Sequence, residues 1–133
     1  MRRNVAMIAA IGGLLVVASG TTAVCQTTGR KDFEQLCASC HGNNGKGKGI
    51  LSEEAKPTDL TQITKKNGGK FPFETVYRIV DGREMIESHK RFAMPFWGQY
   101  LQKPGSAFAP ASDAQVKQRI ADVVRYIKTL QER

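Results

Sequence analysis

Apolar residues recur along the chain at helical spacing, in runs broken by glycine, proline and polar stretches. In the last run, Val116, Ile120, Val123, Ile127 and Leu130 are separated by steps of three and four, one continuous stripe of an α-helix. Val124 and Tyr126 widen it. Ser112 and Gln115 stand at the spacing of a capping box, in which each side chain satisfies a backbone N–H at the helix start. Near the front, Phe33, Leu36, Cys37 and Cys40 fall at i, i+3, i+4 and i+7, one face of another helix, which Thr27 or Thr28 can cap. Gly29 lies on the same face, where its missing side chain lets the last helix cross closely. A third stripe, Phe73, Val76, Tyr77 and Val80, is opened by Pro72 and closed by Gly82. A short helix through Leu60, Ile63 and Thr64 can take Asp59 or Thr58 as its cap and end at Asn67-Gly68. Asp81 to Arg91 reads as a loop, and Lys103 to Ala111, with Pro104, Gly105 and Pro110, as a linker. No strand alternation, repeat or second domain is evident, so the expected fold class is all-α, with four to five helices.

The chemistry concentrates at the end of the first predicted helix, in Cys37-Ala38-Ser39-Cys40-His41. Cys-x-x-Cys-His is the attachment motif of a c-type haem. Each thiol can add across one porphyrin vinyl group, and the histidine beside the second bond can bind the iron from one face. A zinc site would need a second Cys or His pair nearby, and only Cys25 and His89 remain, far apart in sequence. A thioredoxin-like pair would sit in a βαβ pattern, which is absent from the sequence. The expected architecture is therefore helices wrapped around one covalently attached haem c, a large apolar centre for a chain with a limited core.

The iron also needs a partner on its other side. Met94 precedes Pro95, which biases it to an extended form suited to presentation from a loop. Met85 and His89 are alternatives, as is an open position. Methionine with histidine raises the reduction potential relative to two nitrogen ligands. A filled coordination sphere favours electron transfer over bond-making chemistry, so the chain is not expected to be an enzyme. The alternative is a haem enzyme or gas-binding protein with an open or displaceable distal site.

The N-terminus changes where this chemistry is expected to happen. Met1-Arg2-Arg3-Asn4 precedes an uncharged run of about 14 residues, Val5 to Ala18, shorter than a spanning helix needs. Residues 1–23 read as a signal peptide, cut after Ala23 or nearer Ser19, with an uncut N-terminal anchor as the alternative. Residues 24–28 are then a short flexible start, and residues 29–133 the domain. Cys25 reads as a free thiol, or as a lipid anchor in a poor context. The expected location is the periplasm, with membrane association possible through the N-terminus. The net charge of +8 falls to about +6 once Arg2 and Arg3 leave. No nucleic-acid motif or aromatic-interleaved basic patch accompanies it, so the charge suits redox protein partners with an acidic docking face. Lys46, Lys48, Lys65, Lys66, Lys70 and Lys90 are candidates to ring the haem edge.

Four features in order make the chain resemble a class I cytochrome c: Gly29-x-x-x-Phe33, Cys37-x-x-Cys40-His41, Met94-Pro95-x-Trp97, and Val124-Arg125-Tyr126-Ile127. The resemblance spans Gly29 to Leu130. The stretch from Asn67-Gly68-Gly69 to Asp81-Gly82-Arg83, with Met94 to Trp97, resembles a proteobacterial branch of small exported cytochromes. It implies His41 as proximal ligand, Met94 as distal ligand, and Cys37 and Cys40 as thioether residues. It also implies a backbone carbonyl near Pro57 that accepts the second N–H of the histidine. Trp97 is a core aromatic or a hydrogen-bond donor to a haem propionate, and Tyr77 has the same two roles open. Arg78, Arg83 and Arg91 are candidates to neutralise a propionate. The implied function is a monohaem carrier shuttling single electrons between periplasmic or membrane-bound partners, or a cytochrome subunit of a membrane oxidoreductase complex.

Overall fold

The computed structural model describes residues 21–82, 94–102 and 112–132, with side chains from Thr28 onward. The regular structure of these residues is helical, with no strand among them. Three helices run for two turns or more: α1 (Thr21–Leu36), α5 (Phe73–Asp81) and α7 (Asp113–Thr129). Between them lie single turns: α2 (Ala38–His41), α3 (Ser52–Ala55), a 3-10 turn (Leu60–Gln62), α4 (Ile63–Lys66) and α6 (Trp97–Tyr100). The all-α expectation holds. The helices outnumber the four or five expected because a single turn is too short for a 3.6-residue period to register in sequence. Such turns form where loop contacts and caps satisfy their ends. Asp59 does this for the 3-10 turn, accepting from the Thr61 N–H at 2.9 Å.

The core forms where α1 and α5 pack against α7. Phe33, Leu36 and Cys37 meet Val116, Ile120, Val123, Val124 and Ile127, all buried. Gly29 stands at the α1–α7 crossing, and a Cβ there would run into the carbonyl of Asp122, with the Asp122 carbonyl carbon at 2.6 Å. One turn on, Phe33 tilts against Tyr126 with ring centroids 5.3 Å apart. Two charged residues lie under this crossing. Arg119 on α7 makes a two-pronged bond to Asp32 on α1, Nε at 2.9 Å and Nη2 at 2.7 Å.

The helix ends follow the sequence in part. The Ser112–Gln115 capping box is present in both directions. Gly82 closes α5 at φ +91° with its N–H on the Arg78 carbonyl, a left-handed position that costs glycine nothing. Pro72 is the residue before α5 rather than its first helical residue. α1 begins earlier than expected. Residues 24–28 lie inside it, so Thr27 and Thr28 are interior residues and not caps. Val24-Cys25-Gln26-Thr27-Thr28 holds neither proline nor glycine, and once a turn exists each added residue extends a helix cheaply. The loop expected at Asp81–Arg91 and the linker at Lys103–Ala111 lie largely outside the described residues, as do Met85, His89, Lys90, Arg83 and Arg91.

Candidate haem-binding site

α1 delivers the Cys-x-x-Cys-His motif at its C-terminal end. The Cys37 N–H donates to the Phe33 carbonyl at 2.9 Å, and the His41 N–H to the Cys37 carbonyl at 2.9 Å, so helical bonding passes through Cys37 into α2. Gly42, at φ +74°, then turns the chain. The basic glycine-rich loop folds back over the motif. Gly47 donates to the His41 carbonyl at 2.8 Å, Gly49 to Cys40 at 3.0 Å and Leu51 to Ser39 at 2.8 Å. The loop is thus tied to the residues before it. Gly47 is required at its position. Its φ is +74°, and a Cβ would sit 2.7 Å from the Pro57 carbonyl oxygen.

Cys37 and His41 line one cavity, an apolar cleft of about 220 Å³, or about 800 Å³ counting its open side. α5 supplies Thr75, Val76, Ile79 and Val80, and α7 supplies Ile127. Thr58, Leu60, Ile63 and Pro72 form the wall contributed by the middle of the chain. Met94 completes the lining, so the motif and the methionine 53 residues later face the same space. Cys40 is half-buried on α2 and lies outside the lining.

His41 is buried, 7 % exposed. Its Nδ1 lies 3.0 Å from the Thr58 carbonyl. A carbonyl can only accept, so the Nδ1–H donates and the lone pair is on Nε2, the nitrogen a metal would take. The acceptor belongs to the residue directly after Pro57. The Pro57 carbonyl instead lies against Gly47, and Pro57 is not in the cavity wall. Trp97 takes a place in the core. It is buried beside Leu36, Cys37, Val80 and Leu101, edge-on to Tyr100 at 5.5 Å, and stands behind the cavity rather than in its lining. Tyr77 is half-buried against the core and also outside the lining.

Burial pushes the Cys37 thiol up to about 12, and the nearby Asp32 and Cys40 add to the shift. Before haem attachment the side chain is therefore a neutral thiol at pH 7. Among the described residues, no three His, Cys, Asp or Glu side chains converge as a metal site. The haem that the motif implies fits what is present. The walls are apolar, a buried imidazole and a thioether face one cleft, and one motif cysteine lines it with the other a turn away. Sequence reasoning missed Thr58, Thr75 and Ile79. The α5 residues were recoverable from spacing, since Pro72, Thr75, Val76 and Ile79 share a face. Thr58 was not, because a backbone acceptor carries no side-chain signature.

The lysines divide. Lys46 pairs with Glu132 at 2.6 Å, while Lys48 is exposed on the glycine-rich loop. Lys65, Lys66 and Lys70 are exposed on the segment between Ile63 and Pro72, two residues of the cavity wall. No described helix is long and apolar enough to cross a membrane.

No curated protein and no solved structure matches the chain significantly. The family model described as cytochrome C oxidase, cbb3-type, subunit III matches residues 26–129, and the chain belongs to this family, as a c-type cytochrome domain that carries one covalently bound haem c and serves electron transport.

Proposed function

We propose that the protein is a monohaem electron carrier with His41 and Met94 as axial ligands and Cys37 and Cys40 as the thioether residues. The observation that carries this reading is the convergence of Cys37, His41 and Met94 on one apolar cleft. The haem, when bound, supplies a reversible one-electron couple. The chain's own residues do the rest. Thr58 holds the proton on Nδ1 of His41 and orients the ring. The walls from α5 and α7 exclude water, which favours the less charged reduced state. Met94 donates a soft thioether, which favours ferrous iron. With His41 and Met94 both holding the iron, the site would exchange electrons and leave no place for bond chemistry, so we assign no enzymatic activity.

Lys65, Lys66 and Lys70 at the cleft's border suit a partner with an acidic docking face, steered at low salt. The N-terminal basic and apolar segment suits export to the periplasm, with the segment cut as a leader or kept as a tether. The family description favours a second reading, a cytochrome subunit of a membrane oxidase complex. Cell fractionation with intact mass of the mature chain separates a free carrier from a membrane-held subunit.

The ligand assignment is tested by Met94→Ala. The iron–sulfur charge-transfer band of the oxidised protein is expected to vanish, the potential to fall, and carbon monoxide to bind the reduced protein. An unchanged band and potential would move the ligand elsewhere. Carbon monoxide binding by the unaltered protein at neutral pH would instead favour an open-site haem enzyme or gas binder.

A further inference from the structure

The last residues of the chain close over the segment that carries Thr58. Gln131 lies just past the end of α7. Its side-chain carbonyl accepts the Thr64 N–H at 2.8 Å. Its amide nitrogen donates to the Leu60 carbonyl at 2.8 Å and to the Ile127 carbonyl at 2.9 Å. The backbone N–H of Glu132 donates to the Thr61 carbonyl at 3.0 Å. The Glu132 carboxylate accepts from Gln62 Nε2 at 2.7 Å and pairs with Lys46 at 2.6 Å. From the other side, the Leu60 N–H donates to the Gly45 carbonyl at 2.8 Å. Thr58, the acceptor for His41, is two residues from the Leu60 carbonyl that Gln131 holds.

These ties are unequal. Lys46 and the Glu132 side chain are each close to half exposed, and such pairs add little. Gln131 is half-buried and satisfies three backbone groups with one amide. Removing that amide takes two of the segment's fixed points, the Thr64 N–H and the Leu60 carbonyl, and leaves those groups without it.

We infer that Gln131 is a positioning residue for His41, holding the 58–64 segment so that the Thr58 carbonyl meets the imidazole N–H squarely. A firm bond at Nδ1 makes the ring a more basic ligand, which favours oxidised iron. A slack loop weakens that bond and favours the reduced state. The inference rests on His41 as the iron ligand.

The test uses the full haem-loaded protein. Gln131→Met keeps the length and removes the amide. Gln131→Glu keeps an acceptor for Thr64 and loses both donations. Glu132→Gln weakens the exposed pair with Lys46 and the bond from Gln62 and leaves the Gln131 amide untouched. Amide hydrogen exchange, midpoint potential and thermal unfolding are measured on each. Gln131→Met is expected to speed exchange at Leu60 and Thr64 by about tenfold or more and to raise the potential. Gln131→Glu should shift the potential in the same direction by less, and it carries the test if the methionine variant does not fold. Glu132→Gln should leave the potential unchanged. A lowered unfolding midpoint with unchanged potential and unchanged Leu60 exchange would reduce Gln131 to a helix-end contact and overturn the inference. Absence of imidazole-ligand resonances in the unaltered protein would overturn the reading of His41 itself, and is recognisable before any variant is made.

Discussion

Gly29→Ala sets two known effects against each other. In an exposed helix interior the change stabilises by about 1 kcal/mol, because alanine loses less backbone entropy than glycine. Here the new methyl would meet the Asp122 carbonyl carbon at 2.6 Å and the Val123 nitrogen at 3.3 Å, where ordinary contact begins near 3.4 Å. The obstructing atoms are backbone, so no side chain can swing aside. α1 and α7 would have to separate by close to 1 Å across a crossing that buries Phe33, Leu36, Ile120, Val123 and Val124. Overpacking of this kind costs about 1–3 kcal/mol, occasionally more, and a backbone obstacle belongs at or above the upper end. The net expectation is a loss of about 2 kcal/mol, or about 6–12 °C in Tm for a domain of this size. Urea unfolding of the haem-loaded protein, with wild type and Gly29→Ala run together, reads the difference as a shift in midpoint at constant slope. Gly68→Ala is the control. It has φ +65° and no atom within 4 Å, so it should lose only the about 1–2 kcal/mol of a left-handed alanine. A Gly29→Ala protein as stable as wild type, or more so, would mean that the two helices do not meet at this glycine.

The buried pair should respond asymmetrically to its two partners. Arg119→Leu strands the Asp32 carboxylate, 8 % exposed, and should cost about 3 kcal/mol or more, whereas Asp32→Ala leaves an arginine 23 % exposed that can reach water and should cost less; urea midpoints of the two variants decide the order. Ser112→Ala removes the hydroxyl of the α7 capping box and should cost about 1 kcal/mol by the same assay. The Thr61 hydroxyl at 2.7 Å and the Thr61 N–H hold the Asp59 carboxyl below the usual carboxylate range, with Lys46 and Lys66 adding to the shift. A carboxyl depressed in the folded state stabilises above its unfolded value, and that stability is lost as pH falls through the folded value. Asp59→Asn should therefore lower stability at pH 7 and flatten the decline below about pH 4; an unchanged acid limb in a pH series of unfolding midpoints would contradict the assignment.

Reading the chain for period and spacing worked where cause and effect lie within a few residues. The α7 stripe, its capping box, the closure of α5 at Gly82 and the closeness of Gly29 to another helix all follow from repeats of three and four. They also follow from the backbone needs of single residues. The same reading failed where a partner comes from far along the chain. Arg119 and Asp32 are 87 residues apart in sequence, and nothing local marks either as half of a pair. Trp97, two residues from Pro95, was open between cavity and core until its neighbours were known.

The sequence by itself carried the haem motif, the helical class and the pairing of the terminal helices. Cys-x-x-Cys-His, a 3.6-residue period and a glycine with no Cβ are each local facts with one physical meaning. Only the tertiary structure decided that the Thr58 carbonyl accepts the imidazole N–H, and that Gln131 braces that loop. It also decided that Met94 faces the same cleft as His41. Those outcomes depend on which backbone groups meet across distant loops, and a backbone carbonyl looks the same at every position until the chain is folded.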